Sequence, residues 1–160
     1  MSALQVLRLE SIENMTQIER SALVMHSVER MFDLVNDVEK YPQFLPGCRN
    51  AEVLYRNEQT LEARLDLSRA GMRQSFVTRN RLQRPTLMEL ELVDGPFSEF
   101  SGRWEFKPLG DNACKVQFSL SFVIRNRLVA AAVGKLFSEL ANQMVGAMSA
   151  RADEIYGKSV

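Results

Sequence analysis

Few side chains in this sequence combine type and spacing in a way that supports bond-making chemistry. There is one histidine, His26, and there are two cysteines, Cys48 and Cys114. A nucleophile needs its general base within hydrogen-bond reach, and neither a serine nor a cysteine forms a recognisable motif with His26. This residue falls at a strand-to-helix junction, where a structural or solvated role accounts for it. Neither cysteine shows evidence of a setting that lowers a thiol pKa, such as a helix N-terminus or a basic cluster, so both read as small buried thiols. No Cys/His spacing of a metal site occurs. The carboxylate pairs Glu62 and Asp66, and Glu89 and Glu91, alternate with apolar residues and so belong to a wet sheet face. A general acid would instead sit in an apolar pocket that raises its pKa. Asp94-Gly95-Pro96 is a turn signal and not a phosphate loop. The expectation is a protein without catalytic apparatus or required cofactor.

The cationic residues are more clustered. Arg69, Arg73, Arg79, Arg81 and Arg84 fall in one short region, and Arg125 and Arg127 flank the start of a later helical pattern. Two readings stand. One is a solvated sheet face balanced by Glu62, Asp66, Glu89 and Glu91 on neighbouring strands, where cross-strand pairs help modestly. The other is a phosphate-contacting patch for RNA, with Arg73, Arg79 and Arg81 as its contacts. No aromatics interleave with these arginines as single-strand stacking requires. Twenty basic residues are matched by 20 acidic ones, so no global pull toward nucleic acid exists and no DNA partner is expected.

The elements that would position these groups are legible from periodicity. Gln17–Val24 reads as a strand. Ser27 can cap a helix over Val28–Val35, its hydroxyl satisfying an orphan N–H, and Val28, Met31, Phe32 and Val35 define the buried stripe. Six strand-like runs follow at roughly 48–56, 59–68, 74–82, 86–93, 97–107 and 113–124. Val116, Phe118, Leu120, Phe122 and Ile124 alternate with polar residues, as do Leu61, Ala63, Leu65 and Leu67, and Met88, Leu90 and Leu92. Period-two alternation means one buried and one wet face, hence an antiparallel sheet, and the short turns between runs join sequence neighbours. A long helix over about 127–156 closes the chain, with Val133, Leu136, Phe137, Leu140, Met144, Val145, Met148 and Ile155 as its apolar stripe. At 1.5 Å per residue it spans about 40 Å, enough to cross a curved sheet. The order predicts an α+β helix-grip fold, a seven-stranded curved antiparallel sheet wrapped around the C-terminal helix.

On this fold Phe76 sits on one strand, Phe100, Trp104 and Phe106 share a face of another with Gly102 between them, and Phe118 and Phe122 project from the next. Leu140 and Met144 should face them from the helix. These residues suit a fully packed core, or the walls of an apolar cavity to which Phe32 also contributes. The eight methionines favour adaptable apolar shapes. Thr78 and Asn80 share the face of Phe76, and an inward Asn80 needs a hydrogen-bond partner. It is either a structural tie or a contact to the polar head of a ligand.

The segment after the first helix decides between these. Val35-Asn36-Asp37-Val38 leads into Tyr41-Pro42-x-Phe44-Leu45-Pro46-x-Cys48. Pro42 and Pro46 bias Tyr41 and Leu45 away from helical geometry, yet Tyr41, Phe44 and Leu45 are too apolar for a solvated loop. The segment reads as a lid over an apolar surface. A Tyr-Pro-x-Phe-x-Pro run directly after an amphipathic helix resembles the START-like family that includes the coenzyme Q-binding proteins of mitochondria and the bacterial RatA-type proteins, the bacterial branch being more similar. The resemblance spans roughly Met15 to Tyr156. It implies the helix-grip fold and a cavity between sheet and helix, with Tyr41, Pro42, Phe44 and Pro46 in the lid and Trp104 and Phe106 on the sheet. It implies two functions. One is binding of ubiquinone or another isoprenoid lipid in support of respiratory electron transfer. The other is binding of the large ribosomal subunit as a toxin that blocks subunit association.

One domain over 15–157 is expected, with 1–14 an N-terminal extension, either from an upstream start codon or a short helix built on Leu4, Val6, Leu7, Leu9 and Ile12. No apolar run approaches the roughly 18 residues of a membrane span, and the first residues, with Arg8 and Glu10, lack a signal-peptide core. A cytoplasmic location follows, with peripheral contact at the inner membrane if the ligand is a membrane quinone.

Overall fold

Alternation along the last strand shows how the sheet acquires its buried face: Cys114, Val116, Phe118, Leu120 and Phe122 are buried, while Lys115, Gln117, Ser119 and Ser121 reach solvent between them. The computed structural model describes residues 2–6 and 14–158. The order is β1 (Thr16–Val24), α1 (Val28–Asn36), a 3-10 turn (Val38–Gln43), β2 (Cys48–Arg56), β3 (Thr60–Arg69), β4 (Met72–Gln83), β5 (Leu87–Asp94), β6 (Phe97–Gly110), β7 (Ala113–Ile124) and α2 (Ala130–Tyr156). The strands form one sheet in the order β1-β7-β6-β5-β4-β3-β2, every neighbouring pair antiparallel. This is the expected helix-grip architecture.

Strands β2 to β7 are a meander of sequence neighbours, whereas β1 reaches across to β7, Thr16 opposite Phe122 and Val24 opposite Cys114. Between β1 and β2 the chain must travel from one sheet edge to the other, and α1 with its 3-10 turn makes that crossing. Ser27 caps α1, its hydroxyl accepting from the Arg30 N–H at 3.2 Å. The β3–β4 hairpin turns through Ala70 and Gly71, both at positive φ (52° and 80°). That pairing twists in the sense of the strands it joins.

Helix α2 lies against β1, β7, β4 and α1. Its buried stripe is Val133, Leu136, Phe137, Leu140, Ala141, Met144, Val145, Met148 and Ala152. Ile155, placed on that stripe by its spacing, is half exposed, and Ala152 and Tyr156 take the inward positions of this turn. The helix also begins three residues later than its pattern suggests. Asn126 forms a side-chain turn, its Oδ1 accepting from the Leu128 N–H at 3.0 Å, and this local bond competes with helical geometry.

The lid differs from expectation in its backbone. Tyr41 and Pro42 lie inside a 3-10 helix, so Pro42 does not hold Tyr41 extended; one tight turn is compatible with a proline whose missing N–H is not needed. Pro42 and Pro46 are exposed, Tyr41 and Leu45 are buried, and Phe44 is half-buried. Among residues 1–14, Leu7, Leu9 and Ile12 lie outside the described residues. Residues 3–6 form a helical turn with Leu4 and Val6 exposed.

Candidate apolar ligand cavity

Between the middle of the sheet and α2 lies a cavity of about 50 Å³. Alternation brings Ala63 and Leu65 of β3, Phe76, Thr78 and Asn80 of β4, Met88 and Leu90 of β5, Phe100 and Trp104 of β6, and Phe118 and Leu120 of β7 to its wall. Phe137, Leu140, Ala141 and Met144 close it from α2, and Val38 and Tyr41 from the lid. Ala63 and Ala141 leave the space that larger side chains would fill. The volume decides what it holds at rest. It has room for a few water molecules but not for a substituted aromatic ring. A ligand requires the side chains to move, and Met88, Met144 and Leu140 are among the most adaptable in the wall.

The wall carries no charged side chain. Tyr41 is neutral: its hydroxyl donates to the Val35 carbonyl at the end of α1, and burial raises its pKa above the ordinary phenol value, with Cys48 and Asp37 adding to the rise. Asn80 is 5% exposed and its Oδ1 has no hydrogen-bond partner among the described residues. Its cross-strand neighbours are Leu61 and Leu90, which offer none. The structural-tie reading of Asn80 is thereby disfavoured for this oxygen.

Of the residues expected at a ligand site, Tyr41, Phe76, Asn80, Trp104, Phe118, Leu140 and Met144 converge on the cavity. Phe32 and Phe106 do not; they meet each other edge to face under α1, ring centres 5.5 Å apart, and belong to the solid core. Pro42, Phe44, Leu45 and Pro46 also stay out of the wall. Phe44 instead meets Tyr41 edge to face and lies under the Arg151 guanidinium, which is 5.2 Å from its ring centre, while Arg151 Nη2 donates to Gln43 Oε1 at 2.9 Å. These contacts tie the lid to α2. Met88 and Leu90 were missed as wall residues although their alternation was plain. Their register, Met88 opposite Trp104 and Leu90 opposite Gly102, is what places them there.

The arginine cluster is mostly paired. On the outer face Arg79 meets Glu62 at 3.0 Å and Arg81 meets Glu91 at 2.6 Å across neighbouring strands. Arg69 instead reaches Glu139 of α2 at 2.9 Å, and Arg84 forms a two-pronged pair with Asp33 of α1. Each exposed pair is of small energetic weight. Arg73 is exposed and has no ion pair among the described residues. His26 is buried, with Nε2 2.8 Å from Asp153 Oδ1, and so clamps the β1–α1 junction to the end of α2. Among the described residues no group of His, Cys, Asp and Glu could hold a metal ion, and no helix is long and apolar enough to cross a membrane.

Both cysteines are buried and free. Burial pushes each thiol up to about 11, with Asp66 adding to the rise at Cys48 and Glu29 at Cys114. An acid whose pKa is higher in the fold than in the unfolded chain favours the fold below the unfolded pKa, and that contribution is lost as pH climbs toward the folded value. In reducing buffer the denaturant midpoint is therefore expected to fall between pH 9 and 11 as unfolded thiols, and then the Tyr41 phenol, ionise. The Cys48→Ala/Cys114→Ala protein should fall less steeply from pH 9 to 10. A midpoint that holds level to pH 11 in the parent would contradict the burial of these groups.

Seven antiparallel strands curled around a C-terminal helix, with a small apolar cavity between them and a lid segment beside it, define a START-like protein of the helix-grip class. The pattern of the polyketide cyclase/dehydrase and lipid transport family matches residues 24–149, and the chain belongs to that family. The ribosome association toxin RatA of Escherichia coli K12 is 46% identical over 142 residues, 89% of this chain and 90% of that protein. The mitochondrial coenzyme Q-binding protein of Drosophila melanogaster is 28% identical over 132 residues, 80% of this chain and 54% of that protein. The crystal structure of the Zhui aromatase/cyclase from Streptomyces sp. R1128 superposes with a TM-score of 0.79 at 16% identity, over 91% of this chain and 99% of that one. At that identity the likeness is one of fold.

Proposed function

We propose that this chain is a non-catalytic carrier of an apolar ligand, an isoprenoid quinone or related lipid, held between the sheet and α2. The observation that carries the reading is the cavity with the buried, unpartnered Asn80 Oδ1 in a largely apolar, uncharged wall. A purely structural core would fill such a site with a hydrocarbon side chain of similar size. The similarity to a coenzyme Q-binding protein supports the choice of ligand class, and the membrane supplying the ligand would be met transiently at its surface. The test is native mass spectrometry of the protein purified from its own host, followed by solvent extraction. A bound species of quinone mass is expected, and it should disappear from Trp104→Ala while Arg79→Glu retains it. Retention by Trp104→Ala would move the ligand out of this cavity.

A second reading has its own support. Identity of 46% across nine tenths of both chains links this protein to a ribosome association toxin, so binding of the large ribosomal subunit is the companion proposal. It needs a surface and not the cavity, and Arg73 is an exposed sheet cation without an ion pair among the described residues. Co-sedimentation with large subunits should weaken steeply as salt rises and weaken again in Arg73→Glu. Sedimentation insensitive to both would remove this reading. The two activities are compatible, because they use opposite faces of β4.

A further inference from the structure

We propose that the turn between β7 and α2, together with the first turn of α2, is a docking surface for an anionic lipid bilayer. Leu128 and Val129 enter its apolar layer while the cations beside them meet lipid phosphates. The inference rests on the ligand-carrier reading above and deepens it by naming where the carrier meets the membrane.

Exposure singles this turn out. Leu128 is 95% exposed and Val129 42%, and Ala131 and Ala132 of the next turn are exposed as well. Lys135, also exposed, lies four and three residues beyond these alanines and so shares their side of the helix. The apolar surface therefore runs from Leu128 into α2 and ends at a cation. One exposed leucine is ordinary, but contiguous exposed apolar residues with a charged rim mark an interaction surface.

Charge supplies the second half of the argument. Between Asp111 and Glu139 the sequence holds no acidic residue, while Arg125, Arg127 and Lys135 flank the apolar turn. Arg125 is held by backbone carbonyls, its Nη2 donating to Gly95 at 2.6 Å and to Phe97 at 3.3 Å. Carbonyls fix the guanidinium without cancelling its charge. Lys135 stands 4.0 Å from Glu139, which is committed to Arg69 at 2.9 Å. Where β4 and β6 begin and β7 ends, the acids Asp94 and Glu99 face Arg69, Arg73 and Arg125 at the same end of the sheet. Cations are in excess there, and an anionic bilayer attracts such residues to its surface.

An apolar partner is favoured over a nucleic acid by what lies on the same half of α2. A shallow depression is lined by Pro46, Gly47, Leu67, Arg69, Leu136 and Leu140. Leu140 also lines the cavity, so this one side chain partitions cavity from surface. A bilayer that receives Leu128 meets the half of the helix that carries the partition. The phosphates of RNA offer Leu128 no apolar contact.

The experiment is co-sedimentation of the full, ligand-free chain with vesicles, which reads the surface and not the cavity. Vesicles of phosphatidylcholine alone are compared with vesicles that also contain phosphatidylglycerol. The parent is expected to prefer the anionic vesicles and to lose affinity as salt rises. Leu128→Ser should weaken binding about tenfold, and Lys135→Gln about fivefold. Leu23→Ser is the control, because Leu23 is 74% exposed at the opposite end of the sheet, and it should bind as the parent does. All three sites are exposed, so melting temperatures should match the parent's. Failure to bind anionic vesicles, or binding that Leu128→Ser leaves unchanged, overturns the inference. If vesicles go unbound and Leu128→Ser instead weakens co-sedimentation with large ribosomal subunits, the surface belongs to the ribosome and the inference falls. The carrier is judged separately by solvent extraction. Quinone in the extract without vesicle binding removes the inference and leaves the carrier, whereas vesicle binding with a clean extract upholds the surface and removes the carrier.

Discussion

Phe137→Ala should lower the melting temperature by roughly 10 °C, the largest loss expected from any single truncation in the helix–sheet joint. Phe137 projects from α2 into a cluster of rings from three strands. Its ring centre lies 4.6 Å from Phe97, 5.3 Å from Phe76 and 6.1 Å from Phe122, all at steep interplanar angles. It is 2% exposed. Truncating a buried phenylalanine costs about 3–5 kcal/mol, because transfer energy is lost and the surrounding rings relax only in part. For a chain of this size each kcal/mol is worth about 2–4 °C. Ile155→Ala on the same helix is the control. Its side chain is half exposed, so its effect should stay within about 0.5 kcal/mol. Calorimetry of both variants checks the pair, and equal shifts would mean that the aromatic cluster does not anchor α2.

Asn80→Leu should move stability the other way. In the ligand-free protein it is expected to raise the unfolding free energy by about 1–2 kcal/mol, since it removes a buried acceptor that has no donor. Leucine is the bulkier residue, and the adjoining cavity of about 50 Å³ takes the added carbons without overpacking. The same substitution should weaken the stabilisation given by a ligand that hydrogen-bonds to the Asn80 carboxamide, so that the margin of variant over parent narrows once ligand is added. Denaturant titration with and without ligand reads both effects. A destabilised ligand-free variant would show that Asn80 holds the fold together, as the structural-tie alternative requires. A gain in stability matched by a loss of binding is the signature of a residue kept for its site.

Most of the architecture was legible in the sequence because hydrophobic period reports it directly. The alternation of Val116, Phe118, Leu120 and Phe122 identifies a half-buried strand wherever it occurs, and Ser27 before Val28 marks a helix start. Strand ends were less legible, since β6 continues through Lys107-Pro108-Leu109 to Gly110, where pairing with β7 persists after burial has ceased. The lid was misjudged in its backbone for a similar reason. The rule that proline disfavours helix concerns the α region, whereas a single 3-10 turn accommodates Tyr41-Pro42. At the site, face was predictable and depth was not. Phe76, Asn80, Trp104 and Phe118 were assigned inward by alternation, but Phe106 was assigned inward in the same way and Phe32 by helical spacing, and these two fill solid core. Whether an inward residue meets a void or another side chain depends on register between strands, and register is absent from any one strand's pattern. The orphaned Asn80 oxygen belongs to the same category. Its polarity was visible, and its lack of a partner required knowing that Leu61 and Leu90 flank it.

The pairing of β1 with β7 governs how this chain comes off a translating ribosome. Strands β2 to β7 can zip to their predecessors as they emerge, but β1 waits unpaired until β7 has been made, and the part of the concave apolar face that α1 and the lid do not cover stays bare until α2 is released. Ring closure between the two ends of the chain is a non-local event that native contacts reward only late. Vectorial synthesis therefore cannot stage this fold piece by piece. Products that terminate before Ala130 would expose the inner face of the sheet where α2 packs, the condition in which nascent chains aggregate or are captured by chaperones and proteases. The last helix thus acts as a completeness check on the chain: a START-like sheet that has lost it has nothing to close around.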